Sequence, residues 1–450
     1  MKLHIYGALQ AYRRLRPARF HMPGHKGDIP ILRDAALDVT ELSLTDSLES
    51  PTGVIALAQQ DVADIFGAAH SYFLTDGSTC GVYCLVWLVR RRGGRVLIPR
   101  NAHRSVYAAC AALGVEPVIL KNNEKEGVLL PPGASDIESV FKKERDVCAV
   151  LLTSPDYFGN FADLAAIRKV CDRYGRLLLA DGAHGVWARF DPDGAPYAGE
   201  WADAWVDGLH KTAPTLTQGA LLNVRNELLA RDAEEALGLF RTSSPSYLVM
   251  ASAEYGVKAL AEHGAARIDA LKRELALLRT RLEKRGIRCY GKGGSLTLAA
   301  DFGGAGIDAQ RAQDELEKRR VFAELNDGRY LLFYFTPADK PSAVSALAGK
   351  ILAVARMRAL RGTYKAAARA EGVKKYGYLT ALSLACEYVP LAEAAGRVAA
   401  RTAGIAPPCY PVVVAGELIT QEAADALANA RHAFGIGGGK IAVVNIGART

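Results

Sequence analysis

The chain has 450 residues, half of them hydrophobic and 23% charged, a composition that excludes intrinsically disordered, collagen-like and coiled-coil classes. At roughly 100–200 residues per domain, this length predicts two or three domains whose cores need no disulfide or metal staple. Lys and Arg outnumber Asp and Glu by 56 to 48, a formal charge of +8. The short clusters Arg90-Arg91-Arg92 and Lys142-Lys143 sit among interleaved acids, so neither nucleic acid nor membrane is expected as a partner.

The eight cysteines form no CxxC pair and read as buried or free thiols in a reducing compartment. The N-terminus shows no apolar signal region and no run of about 18 apolar residues occurs. A soluble, cytoplasmic protein is expected.

In chain order, residues 1–53 read as an N-terminal arm. From Val54 to Met250 short apolar runs alternate with amphipathic stretches, the pattern of βα units around a parallel sheet. Strands are predicted at Ser71–Leu74, Arg95–Pro99, Pro117–Leu120, Ala149–Thr153, Leu177–Ala180, Ala204–Asp207 and Ala220–Val224. Several are apolar without alternation, as in strands covered by helices on both faces. The expected fold class is α/β, with residues 54–250 forming a large domain on a mostly parallel sheet.

Ser252–Arg285 then reads as long helices, with Leu271, Leu275, Leu278 and Leu282 at helical spacing and Gly286 as the stop. Strands at Ser295–Asp301 and Tyr330–Phe335 enclose a helical stretch at Asp308–Lys318. Residues 251–360 are thus expected to hold linking helices and a small α+β domain. Beyond Val344 the chain turns helical again. Within residues 361–450, a C-terminal domain, the break Pro407-Pro408-Cys409-Tyr410-Pro411 precedes a short strand at Val412–Val414 and a last helix. Gly435–Lys440 reads as a flexible loop before a terminal strand, since it lacks the Ser/Thr and glycine spacing of a P-loop.

Three segments follow predicted strand ends and carry chemistry. Thr75-Asp76-Gly77-Ser78-Thr79-Cys80-Gly81 opens a helix near Ser78, where small residues, hydroxyls and the helix dipole favour a phosphate. Asp181 and His184, in Ala180-Asp181-Gly182-Ala183-His184-Gly185, stand at the carboxyl edge of the sheet, where ligands bind in open α/β folds. Lys211, in Asp207-Gly208-Leu209-His210-Lys211-Thr212, is placed to lose solvation and form a Schiff base with a carbonyl cofactor. Each segment alone is equally a helix cap, a turn or a solvated lysine. Together they supply a phosphate anchor, an acid for a pyridine nitrogen and an amine for an aldehyde, which are the needs of pyridoxal 5′-phosphate.

With these three segments in view, the chain resembles the fold-type I pyridoxal-phosphate enzymes, and among them the bacterial ornithine/lysine/arginine decarboxylases. The likeness rests on Phe20-His21-Met22-Pro23-Gly24-His25-Lys26-Gly27, Thr40-Glu41-Leu42, Ser50-Pro51-Thr52-Gly53, Gly77-Ser78-Thr79, Arg100-Asn101-Ala102-His103-Arg104-Ser105, Asp181 to Gly185 and His210-Lys211-Thr212. It continues through Thr217-Gln218-Gly219, Ser244-Pro245-Ser246-Tyr247, Val389-Pro390-Leu391 and Gly416-Glu417-Leu418-Ile419-Thr420.

The resemblance implies an aspartate-aminotransferase-like large domain, a small α+β domain, a C-terminal extension and at least a homodimer. It makes Lys211 the Schiff-base lysine and Asp181 the partner of the ring nitrogen, which turns the ring into an electron sink. His103 would stack on the ring, Ser78, Thr79 and His210 would hold the phosphate, and His184 would lie beside cofactor or substrate. The implied reaction is decarboxylation of arginine, lysine or ornithine to the amine and CO₂.

Three positions depart from the family pattern. Gly208 stands where a phosphate-binding serine is common, and a missing charged hydrogen bond of roughly 1.5–3 kcal/mol would weaken cofactor binding about tenfold or more. Glu49 replaces a usual histidine. Cys409 replaces a glycine and is expected to change only a loop. Because the cofactor anchors do not set reaction type, another reaction at Cα, such as transamination or elimination, stays open, as does a non-catalytic relative. His21 and His25 are not expected to bind metal, and Cys80 and Cys84 read as packing residues.

Overall fold

The computed structural model describes residues 1–291, 294–362, 372–406 and 409–445. Two helices, α1 (His4–Arg14) and α2 (Val54–Phe66), precede β1 (His70–Leu74), and α3 (Gly77–Arg91) follows it. The chain continues through β2 (Arg95–Pro99), α4 (Arg104–Leu113), β3 (Pro117–Leu120), α5 (Ala134–Lys143), β4 (Val147–Thr153) and α6 (Leu164–Tyr174). Then come β5 (Leu177–Gly182), β6 (Ala204–Asp207), the single turn α7 (Leu209–Thr212), β7 (Ala220–Val224), α8 (Glu227–Phe240) and α9 (Tyr247–Glu283).

These seven strands form one sheet in the order β1-β7-β6-β5-β4-β2-β3. All run parallel except β7, which is antiparallel to β1 and β6. The apolar runs divide between the faces with the period of two that a strand imposes. Phe73, Leu97, Val150, Leu178, Trp205 and Leu221 face one core, under α2, α6 and α9. Leu74, Val96, Leu151, Leu179, Val206 and Leu222 face the other, under α3, α4 and α8. Burial on both sides explains why these strands lack polar alternation.

The expected long helices are one helix, α9, of 37 residues. Gly256 and Gly264 do not break it; each lies where a side chain comes close, Thr215 at one and Phe190 at the other. Beyond it an antiparallel sheet joins Cys289–Tyr290, Thr297–Asp301, Tyr330–Tyr334 and Leu325–Asn326, with helices at Ala309–Lys318 and Pro341–Ala355.

The C-terminal part holds two small three-stranded sheets and helices at Tyr378–Ser383 and Gln421–Asn429. Pro407 and Pro408 of the expected break lie outside the described residues. Gly435–Lys440 is not a plain loop: Ile436–Gly437 pairs with Lys440–Val444 as a tight hairpin across Gly438 and Gly439. Positive φ at both turn glycines suits the primed turns of such hairpins.

Candidate active site

Because β7 is reversed, β1 and β6 are parallel to each other and to the remaining strands, so their carboxyl ends share one edge of the sheet. Gly77 and Ser78 follow β1, His103 follows β2, Asp181 is the penultimate residue of β5, and His210 and Lys211 follow β6. Four strand ends distant in sequence thereby meet in one place, as the topology of open α/β sheets requires.

Lys211 and His184 form the centre, with Nζ 3.0 Å from Nε2. Burial lowers the Lys211 pKa from its ordinary value, while the Asp181 carboxylate pulls it back up. A neutral amine with a lone pair is therefore more accessible than at a solvated lysine. Burial also pushes His184 well below the usual histidine range, with the nearby Lys211 charge adding to the effect. The His184 ring is packed by Tyr157 at 5.3 Å and Tyr334 at 5.8 Å between centroids.

Asp181 is buried and accepts the Ala183 N–H at 3.1 Å. His103 caps the N-terminus of α4, its Nδ1 accepting the Ser105 N–H at 3.2 Å. Burial lowers its pKa against the opposing pull of Asp181. His210 Nδ1 lies 3.2 Å from the Gly219 carbonyl, and burial lowers its pKa too. His184, His103, His210 and Asp181 thus each lie within electrostatic reach of Lys211.

The first turn of α3 offers N–H groups without intrahelical partners. Ser78 Oγ is buried there with no hydrogen-bond partner, and Thr79 is exposed on the same turn. The Gly208 backbone lies across from it: a Cβ at 208 would sit 3.0 Å from Ser78 Oγ and overlap the Ala183 carbonyl oxygen. The glycine is therefore set by a close backbone approach, and a serine would not fit without movement. An orphaned hydroxyl, a helix N-terminus and a desolvated amine fit a phosphorylated aldehyde such as pyridoxal phosphate.

The chain matches Orn/Lys/Arg decarboxylase, major domain, over residues 4–286 and Orn/Lys/Arg decarboxylase, C-terminal domain, over residues 359–432. It belongs to the Orn/Lys/Arg decarboxylase family. The arginine decarboxylase of Bacillus subtilis (strain 168) is 28% identical over 453 residues, covering 93% of this chain and 91% of its own. The constitutive lysine decarboxylase of Escherichia coli superposes with a TM-score of 0.82 at 19% identity, over 99% of this chain and 82% of that one. A structure described as SPT with PLP gives a TM-score of 0.55 at 18% identity, over 67% and 76% of the two chains. The α/β fold with a mostly parallel sheet is thus that of fold-type I enzymes.

Within this family fold, the sequence did not show that Tyr157, Glu324 and Cys409 reach the site. Tyr157 donates its hydroxyl to Glu324 at 2.5 Å, and the Glu324 carboxylate acts on the charge of Lys211. Residues so far apart in the chain meet only through tertiary packing. Cys409, expected to alter only a loop, has φ +65° and accepts the Arg104 N–H at 3.1 Å, beside His103 and within electrostatic reach of Lys211. The C-terminal turn therefore reaches the site.

Beneath the site Asp207 is fully buried. Its Oδ2 accepts from Tyr197 at 2.7 Å, Trp205 at 3.0 Å and Asn223 at 3.0 Å, while Oδ1 has no partner. Burial raises its pKa to about 7. The two histidines of the N-terminal arm have other contacts: His25 Nε2 is 3.1 Å from Asp38, and His21 Nε2 is 2.5 Å from the Tyr12 hydroxyl. Among the described residues no group of three or more His, Cys, Asp or Glu could hold a metal ion, and no helix is long and apolar enough to cross a membrane.

Proposed function

We propose that the chain is a pyridoxal-phosphate-dependent decarboxylase converting a basic amino acid, arginine, lysine or ornithine, to its amine and CO₂. The observation that carries this is the desolvated Lys211 amine, facing His184 at 3.0 Å with Asp181 close by, at the carboxyl edge of the family's sheet. Arginine is the first candidate, since a relative spanning most of the chain is named arginine decarboxylase.

Bound pyridoxal phosphate supplies a protonated ring that takes up the electron pair left on Cα when the carboxylate departs as CO₂. Asp181 would lie beside the ring nitrogen, where a carboxylate favours the protonated ring. His103 would lie against the ring. Ser78 Oγ, Thr79, His210 and the first turn of α3 hold the phosphate. Lys211 would hold the cofactor through its Nζ amine and would carry a proton at Nζ for return to Cα. His184, neutral, accepts a hydrogen bond from Nζ and keeps it aimed. Glu324, steadied by Tyr157, receives the distal cation of the substrate.

Phe20, Met22, Ile31 and Leu32 of the N-terminal arm are largely exposed apolar side chains. This supports self-association, with a homodimer as the proposed unit.

The deciding experiment measures CO₂ and amine release from arginine, lysine and ornithine by the protein loaded with cofactor. Amine formed from one of them, abolished by Lys211→Ala, supports the proposal. A loaded protein that releases CO₂ from none of them but exchanges the α-hydrogen or forms a keto acid would instead favour other chemistry at Cα.

A further inference from the structure

His103 lies in the short segment Arg100–Arg104 between β2 and α4, and this segment is gripped from two sides. From the large domain, Asn122 Oδ1 accepts the Asn101 N–H at 3.2 Å while its Nδ2 donates to Asn101 Oδ1 at 2.9 Å. The Tyr107 hydroxyl donates to the Arg100 carbonyl at 2.9 Å.

From the other side comes chain more than 300 residues away in sequence. Both terminal nitrogens of Arg100 engage the two oxygens of Glu417, NH2 reaching Oε2 at 2.8 Å, and NH2 also donates to the Val412 carbonyl at 3.1 Å. The pair is nearly sealed from solvent, with side-chain exposures of 11% and 9%. Glu417 Oε2 further accepts the Val414 N–H at 2.9 Å, and Arg104 donates its N–H to the Cys409 carbonyl at 3.1 Å. A buried ion pair is weak evidence for stability, because an apolar pair of similar size often does as well. What a two-point guanidinium–carboxylate fork supplies is orientation.

We infer that the C-terminal domain positions the His103 imidazole, with Glu417 acting through Arg100 as the positioning residue. The inference rests on the proposal that His103 lies against the cofactor ring. Glu417 touches neither cofactor nor substrate. Its carboxylate fixes the end of β2, and the Arg104–Cys409 bond fixes the start of α4, so the imidazole between them is held at both ends of its segment. A C-terminal domain far along the chain thereby becomes a working part of the site.

The test uses full-length protein and four variants: Glu417→Gln, Glu417→Asp, His103→Asn and the double variant His103→Asn/Glu417→Gln. Asn keeps the helix cap at 103 while removing the ring. The apoprotein is titrated with pyridoxal phosphate and followed by visible absorbance and circular dichroism, with urea denaturation in parallel. Glu417→Gln is expected to weaken cofactor binding about ten- to a hundredfold, the range seen for residues that orient a contacting group at metal sites, and to alter the visible circular dichroism. Glu417→Asp, which keeps the charge, should recover part of the loss. The double variant should bind no more weakly than His103→Asn alone, because one residue acts through the other.

The inference is overturned if Glu417→Gln lowers the urea midpoint while leaving cofactor affinity and the visible signal unchanged, or if the two losses simply add. Should His103→Asn leave cofactor binding and spectrum untouched, the placement of His103 against the ring fails, and this inference with it. A Glu417→Gln protein that does not fold leaves the test to Glu417→Asp, for which unchanged affinity and spectrum would equally refute it.

Discussion

Asp207 offers a test of the electrostatics beneath the site. Its carboxyl group is fully buried, three donors converge on Oδ2, Oδ1 has no partner, and burial raises the pKa from 3.8 to about 7. The folded chain therefore binds this proton more tightly than the unfolded chain, so its contribution to stability is present at low pH and is lost as pH rises toward 7. At about 1.4 kcal/mol per tenfold, ionising Asp207 in the folded state costs about 4 kcal/mol more than in the unfolded state. At pH 5 about 2 kcal/mol of that is already felt, because the unfolded carboxylate is ionised there. Asp207→Asn keeps an oxygen for the three donors and cannot ionise. Urea denaturation of the two apoproteins between pH 5 and about 8.5 should show the wild type losing about 2–3 kcal/mol relative to the variant. A gap that stays constant over that range would refute the reasoning, since Asp207 would then not titrate there.

Lys211→Ala should yield a protein without the visible band of bound cofactor and without amine formation, and borohydride should fix the cofactor to wild type only. Because burial lowers the Lys211 pKa, capture of pyridoxal phosphate by apoprotein should quicken as pH rises and level off below 10.5, the ordinary value for lysine; a plateau at or above that value contradicts it. Gly208→Ser is expected to lower both thermal stability and cofactor affinity, since its Cβ overlaps the Ala183 carbonyl oxygen; tighter binding by the variant would show that the backbones separate freely. Glu324→Gln should raise KM for the basic amino acid about ten- to a hundredfold with a smaller change in kcat, as expected for the loss of a charged hydrogen bond. An unchanged KM would remove Glu324 from the substrate site.

Much of the sheet was legible. Arg95–Pro99, Pro117–Leu120, Ala204–Asp207 and Ala220–Val224 are strands with the predicted bounds, because a doubly covered strand leaves an uninterrupted apolar run. Such a run carries no direction, so the reversal of Ala220–Val224 could not be read. The strand-end motifs brought Asp181, His184 and Lys211 together in the sequence argument because each type of chemistry needs a strand end. Glu324 gave no such signal, being one exposed carboxylate among many until Tyr157 approaches it. Gly208 read as a lost donor by comparison with a family pattern; the approach of the Ala183 backbone, visible only in three dimensions, explains it as a steric requirement.

Helix α9 has a consequence of its own. Its first half carries Ser252, which bonds the turn at Thr215 and Leu216 just after Lys211, and Glu254, which receives the N–H groups of His4, Ile5 and Tyr6. Its second half carries Arg279, which holds the Tyr290 and Thr297 carbonyls of the smaller sheet. One unbroken rod of 37 residues, about 55 Å at ~1.5 Å per residue, thus sets the phase between the two halves of the chain. Deleting a single residue between Glu254 and Arg279 would turn the far end by about 100° and swing Glu324 away from Lys211. The helix acts as a ruler whose length in residues, more than the identity of its exposed side chains, is what the site depends on.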